Sequence, residues 1–215
     1  RGNFQSEQYF HGKPERIRSY ITLKKEYLTN RLVDDDVCVI YIRGGEYKRY
    51  KNLILPESYW INAIENMRNH FGISKFIGIS DDDRYFKKIL PNIDILPGNE
   101  EEDFAALYQS KYAIIANSSW GYFPAKLGRA DKKIIAPQHW GRFNNVYGRW
   151  ASPCNLYSGW MWQDNMGKLK STEECLALSN KTKKYYENKF NVKTTSASVN
   201  KNLRVYIPRS ISISI

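Results

Sequence analysis

Four short polar clusters in this sequence each follow an apolar run: Arg43-Gly-Gly-Glu46, Ser80-Asp-Asp-Asp83, Asn117-Ser-Ser119 and Gln138-His-Trp140. Arg43 beside two glycines presents a forked, permanently charged donor where the backbone permits close approach. That suits a diphosphate, although the same arginine would also serve in a rim salt bridge. In Asn117-Ser118-Ser119, backbone N–H groups and two hydroxyls opening a helix make either an anion site or a plain N-cap. An arginine at one strand end and an N–H cluster at another would hold a pyrophosphate from two sides. Asp81 to Asp83 offers carboxylates for a divalent metal, or simply acidic residues at a helix start. Trp120, Tyr122, Phe123, Trp140, Trp150, Trp160 and Trp162 suit sugar stacking or core packing. Neither GxxxxGK[ST] nor GxGxxG occurs, which disfavours a P-loop NTPase or an ordinary dinucleotide site.

The elements that would carry these clusters are legible from periodicity. Val37-Cys-Val-Ile-Tyr-Ile-Arg43, Lys75-Phe-Ile-Gly-Ile-Ser80, Tyr112-Ala-Ile-Ile-Ala116 and Lys133-Ile-Ile-Ala136 read as buried strands, and Ile93 to Leu96 as a weaker one. Trp60, Ile64, Met67 and Phe71 recur at helical spacing up to Gly72. Further helices are expected from Asp83 to about Leu90, from Glu101 to Lys111, from Trp120 to Leu127 despite Pro124, and from Ser171 to Phe190, the last opening with a capping box at Ser171 and Glu174. Asn144 to Asp164 reads as a packed, aromatic loop region. Alternating strands and helices predict an α/β fold with a doubly wound, Rossmann-like parallel sheet covered on both faces. In such sheets ligands bind beyond the carboxyl ends of the strands, and all four polar clusters fall on that rim.

Composition narrows the partners. The 215 residues carry a formal charge of +11, which invites a polyanion. Residues 1–180 hold 25 basic and 21 acidic side chains, whereas residues 181–215 hold 8 and 1. The body is therefore nearly balanced, which argues against nucleic acid as the partner. The basic tail is expected either to be solvated or to touch anionic lipid or a lipid-linked acceptor. Cys38, Cys154 and Cys175, and His11, His70 and His139, are too scattered for a disulfide framework or a His-based or CxxC metal site. No run approaches a membrane span and the first residues, Arg-Gly-Asn-Phe-Gln, do not form a signal peptide. The reduced-cysteine character suits a cytoplasmic location. With no initiator Met, the chain is expected to begin inside a longer protein.

Five blocks in order resemble the family 11 glycosyltransferases, the α-1,2-fucosyltransferases. Asn3-Phe-Gln-Ser-Glu-Gln-Tyr-Phe10 is similar to their Q-S-E-K-Y-F segment, and Val39-Ile-Tyr-Ile-Arg-Gly-Gly-Glu-Tyr47 resembles V-x-I-H-x-R-R-G-D-Y. Phe76-Ile-Gly-Ile-Ser-Asp-Asp82 resembles [FY]-x-[FV]-S-D-D, Ile114-Ile-Ala-Asn-Ser-Ser-Trp120 resembles I-I-A-N-S-S-F, and Ile134-Ile-Ala-Pro-Gln-His-Trp140 is similar to V-I-x-P-x-x-W. Tyr41 stands where the motif has His, Gly44 its second Arg and Glu46 its Asp, and Trp120-Gly-Tyr-Phe stands where the family has a Ser-Trp-Trp run. The family's Gly-Gly-Leu-Gly-Asn-Gln block is not present in this sequence.

The resemblance implies the carboxyl-terminal, nucleotide-binding half of a GT-B glycosyltransferase. It would bind GDP-fucose or a similar GDP-sugar and transfer the sugar with inversion to an oligosaccharide or lipid-linked glycan, without metal or other cofactor. Residues 1–36 would be a remnant of the amino-terminal domain, 37–190 the donor-binding domain and 191–215 a flexible tail. By the motifs, Arg43 would hold the diphosphate with Asn117, Ser118 and Ser119, and Trp120 would complete the donor site. Asp103 would read guanine through its N1 and N2 hydrogens or serve only as a helix N-terminal charge. Glu46 is the first candidate for the base that deprotonates the acceptor hydroxyl. A non-catalytic GDP-sugar-binding module is the alternative.

Overall fold

The computed structural model describes residues 14–30, 33–50, 53–138, 156–190 and 211–213. Its leading part is α1 (Pro14–Tyr20), β1 (Ile21–Leu23) and α2 (Lys25–Asn30). The alternating unit follows with β2 (Val37–Ile42), a 3-10 turn over Gly45–Arg49, α3 (Glu57–Phe71), β3 (Lys75–Ser80), α4 (Asp83–Ile89), α5 (Glu100–Gln109), β4 (Tyr112–Ile115), α6 (Ser119–Leu127) and β5 (Lys133–Pro137). After residue 155 come β6 (Met161–Gln163), β7 (Leu169–Lys170), α7 (Thr172–Phe190) and β8 (Ile211–Ile213).

Six strands form one sheet in the order β3-β2-β4-β5-β6-β7, parallel throughout except for β7, which runs antiparallel to β6. The central strands β2, β4 and β5 are buried along nearly their whole length. Their Val, Ile and Ala side chains therefore meet helices on both faces, as a parallel sheet requires. Helix α3 lies against β4 and β5, α5 against β2 and α7 against β6. The leading part packs on the same unit. Arg18 donates to the Lys126 carbonyl at 3.1 Å, and Gln109 donates to the Tyr27 carbonyl at 3.3 Å.

Where the periodicity was strong the expected elements are present, including the Ser171–Glu174 capping box. Glu174 N–H donates to Ser171 Oγ at 3.2 Å, and Ser171 N–H donates to Glu174 Oε2 at 2.7 Å. Three differences have physical reasons. The strand expected at Ile93 to Leu96 reduces to one bridge, Ile95 against Gly78, held by Gly78 N–H to Asp94 O at 2.7 Å and Leu96 N–H to Gly78 O at 2.8 Å. The expected loop region contains β6, whose apolar signal is interrupted by Gln163. That side chain is fully buried because its amide donates to Tyr59 O at 2.9 Å and accepts from Asn66 at 2.9 Å. Within the expected flexible tail, Ile211–Ile213 pairs antiparallel with Ile21–Leu23. The rest of that tail, Asn3 to Phe10, His139, Trp140, Trp150 and Cys154 lie outside the described residues.

Gly78 matters for the placement of α4. A Cβ there would come within 2.2 Å of the buried Phe86 ring, so α4 rests directly on the strand backbone. Gly78→Ala is expected to cost about 1–3 kcal/mol by overpacking. A urea midpoint unchanged by that substitution would show that α4 is free to shift.

Candidate functional site

The order of the strands reverses at β2. The first crossover leads from β2 to β3 on one side, and the next leads to β4 on the other. Such a switch point opens a crevice between the two carboxyl ends. The register places Tyr41 opposite Ile115, and Ala116 N–H donates to Tyr41 O at 3.0 Å. Arg43 and Asn117 therefore leave the ladder side by side.

A cavity of about 430 Å3 occupies this crevice. Its wall takes Tyr41 and Arg43 from around the end of β2, Ser80 and Asp81 from around the end of β3, Asn99, Glu100 and Asp103 around the start of α5, and Trp120 from α6. Asn99 fixes the α5 contribution through a capping box. Glu102 N–H donates to Asn99 Oδ1 at 3.0 Å and Asn99 N–H to Glu102 Oε2 at 2.9 Å. Asp103 stands in that same first turn, so its place satisfies both the helix-dipole reading and the cavity reading. The Trp120 indole donates to Glu100 Oε1 at 2.7 Å, linking α6 to α5.

Arg43 is held on several sides. Its guanidinium pairs with Asp81 at 3.0 Å and with Glu46 at 3.6 Å, and stands 5.5 Å from the Tyr47 ring centroid. Asp81 also accepts from Gly44 N–H at 2.8 Å, which ties the turn after β2 to the end of β3. Burial alone would lower the Arg43 pKa, but Tyr41 and Asp81 carry it above its ordinary value, so it is a fixed positive charge. The salt bridge read from the sequence and the cavity position thus occur together. An entering diphosphate would compete with two carboxylates for this arginine.

The other expected residues are placed less uniformly. Ser118 caps α6, with its hydroxyl accepting from Trp120 N–H at 3.3 Å and from Tyr41 O–H at 3.2 Å. Asn117 and Ser118 are buried and do not appear on the cavity wall, while Ser119 is exposed. The Asn117 side-chain amide is buried with no hydrogen-bond partner among the described residues. Glu46, on the 3-10 turn, has its side chain 65% exposed and is also off the wall.

Asp82 and Gln138 have structural duties. Asp82 caps α4 by accepting from Tyr85 N–H at 2.9 Å and pairs with Lys48, which lowers its pKa. Gln138 is buried on Cys175 and Lys170. Among the described residues no three His, Cys, Asp or Glu side chains cluster as a metal site would. Tyr122, Tyr157, Trp160 and Trp162 stack on one another in the core, with Tyr122 and Tyr157 centroids 4.6 Å apart. Trp120 is the described member of the aromatic set that lines the cavity. Asp81 as the partner of Arg43 and Glu100 on the wall were not anticipated, although Asn99-x-x-Glu102 is a readable capping signature.

The glycosyl transferase family 11 model matches residues 1–146, more than half of the chain. The chain belongs to glycosyl transferase family 11. This family 11 chain is 28% identical over 158 residues to the alpha-1,2-colitosyltransferase of Escherichia coli, a match covering 65% of the chain and 54% of that relative. It therefore spans about half the length of the curated relative it matches. Two solved structures show a loose likeness in shape at 16% identity. They are the E. coli heptosyltransferase WaaC with ADP-2-deoxy-2-fluoro heptose, TM-score 0.42 over 77% of the family 11 chain and 47% of that chain, and the same protein with ADP, TM-score 0.43 over 76% and 48%. Among the described residues no helix is long and apolar enough to cross a membrane.

Proposed function

We propose that this chain is the donor-binding part of an inverting, metal-independent GT-B glycosyltransferase that moves fucose or a similar sugar from a GDP-sugar to a glycan acceptor. The observation that carries this reading is the shared cavity at the switch point. It sets a forked cation, Arg43, and a helix-borne carboxylate, Asp103, on one wall with the Trp120 ring. A cation suits the diphosphate and a carboxylate suits guanine's N1 and N2 hydrogens. The colitosyl transfer named for the relative makes colitose a second sugar to test beside fucose.

In the transfer, the acceptor oxygen forms its bond to the anomeric carbon as the bond to the diphosphate oxygen breaks on the opposite face. The electron pair stays on the departing GDP, where Arg43 and the start of α6 would stabilise it. The acceptor proton passes to a carboxylate, for which Glu46 is the proposed base. Chelator is expected to leave turnover unchanged.

Calorimetry with GDP, GDP-fucose and UDP tests the donor. GDP is expected to bind at low micromolar concentration, roughly the −8 kcal/mol range, and UDP much more weakly. Asp103→Asn should narrow that preference about tenfold or more, the worth of a hydrogen bond to a charged group. Indifference to all three nucleotides would sink the reading. A non-catalytic GDP-sugar-binding module is a second reading, favoured by Glu46 lying off the cavity wall. It predicts GDP binding with no release of sugar from the donor.

A further inference from the structure

Tyr41 occupies an unusual place between the two anion-binding elements. It is the penultimate residue of β2, 3% exposed, and its ring lines the cavity. Its hydroxyl donates to Ser118 Oγ at 3.2 Å, and Arg43, two residues further along the chain, lines the same cavity. Tyr47 reinforces the arrangement from the 3-10 turn, with its ring 5.5 Å from Arg43 and its hydroxyl donating to Asn117 O at 3.4 Å. Tyr47 thus bridges Arg43 to the loop that opens α6, and Tyr41 joins the end of β2 to the same loop.

The Tyr41 ring is packed against α6. Trp120 stands 4.8 Å away, centroid to centroid. A Cβ at Gly121 would come within 2.7 Å of the ring, so only glycine leaves the ring its space. A phenol offers one donor, and Ser118 takes it, so the oxygen lone pairs are left as acceptors for a cation. Burial holds the Tyr41 phenol well above its usual range, so this polarity is constant across working pH. Without that oxygen, Arg43 would be left to Asp81 and Glu46, the carboxylates on its other sides.

We propose that Tyr41 is a positioning residue that ties Arg43 to Ser118 and aims the guanidinium at the anion, with Gly121 required to admit its ring. The proposal rests on the donor reading for its purpose and on contacts within the protein for its geometry, so the two can fail separately.

The experiment compares the wild type with Tyr41→Phe, Ser118→Ala and Gly121→Ala, using nitrogen-15 arginine NMR, thermal melts and GDP calorimetry. Tyr41→Phe keeps the ring and deletes only the hydroxyl. The Arg43 guanidinium resonances are expected to shift and exchange faster in all three variants. Tyr41→Phe is expected to keep its melting midpoint while GDP binding weakens about tenfold, the effect of one lost hydrogen bond to a charged group. In active protein the loss should fall on the donor KM and leave the acceptor KM unchanged. Arg43 resonances unmoved in Tyr41→Phe and Ser118→Ala would overturn the proposal whether or not GDP binds. Resonances that move in a protein that binds no GDP would support the positioning role and remove the donor reading instead.

Discussion

Arg43→Ala is expected to slow sugar transfer about a hundredfold and to weaken GDP binding at least tenfold. Removal of one preorganised donor from a developing anion typically costs ~3 kcal/mol. Arg43 fits that role because it is a permanent charge on a strand end, braced at 3.0 Å by Asp81 and flanked by Tyr47. Arg43→Lys should recover only part of the loss, since an ammonium is a point charge without the planar fork. Glu46→Gln gives the useful contrast. If Glu46 is the base, kcat falls while GDP affinity holds or rises, because that carboxylate is off the cavity wall and competes with the diphosphate for Arg43. Steady-state rates paired with GDP titrations separate these outcomes. GDP affinity identical in Arg43→Ala and the wild type would remove the arginine from the donor site.

A second large effect is expected at Lys132, far from any nucleotide chemistry. Its Nζ is buried beneath the end of α5, within hydrogen-bonding reach of the carbonyls of Leu107 and Tyr108 and of Ser110 Oγ, the last two at 3.2 Å. It satisfies carbonyls that a helix terminus leaves unpaired. Burial lowers its pKa well below the ordinary lysine value. Between that lowered value and about 10.4 in the unfolded chain, the unfolded state holds the extra proton. Stability therefore rises with pH across that window, by about 1.4 kcal/mol per unit for one proton.

Lys132→Met abolishes this dependence and strands the acceptors, so the wild-type advantage should widen with pH and reach about 3 kcal/mol near pH 10. Comparing the two proteins at each pH cancels the buried thiols of Cys38 and Cys175. Burial raises both of their pKa values, Cys175's to about 11, and they act in the opposite sense once unfolded thiols ionise. Urea unfolding of both proteins from pH 7 to 10 reads the gap directly, and a gap independent of pH would refute the assignment.

Much of this architecture is legible in local sequence because local physics dictates it. Val37–Ile42 and Tyr112–Ile115 are β-branched or apolar at nearly every position, as strands buried on both faces must be. Arg43, Asp103 and Trp120 were readable as residue types at element ends, and one cavity collects all three. What escaped depends on long-range partners. Met161–Gln163 forms a strand because β5 lies beside it and because Tyr59 and Asn66 satisfy Gln163, and no local pattern reports such distant acceptors. Asp81 looked like one of three helix-opening acids, yet it alone of the three turns to Arg43, while Asp82 caps α4. Rim position likewise overstated Gln138, whose side chain is taken by Cys175 and Lys170.

The β2–β4 pairing has a consequence for how the site comes into being. Tyr41 and Ser118 meet across 77 positions of chain, and the segment between them first completes α3 and β3 on the far side of β2. Contacts closed over such loops carry a large entropic penalty and form slowly compared with local ones. The cavity therefore has no partial version. A nascent chain that has emerged only as far as β3 holds Arg43 with its restraining Asp81 but neither the opposite wall nor Trp120. The cavity closes only once β4 and α6 dock, and the Trp120 indole that lines it is a built-in fluorophore for that moment.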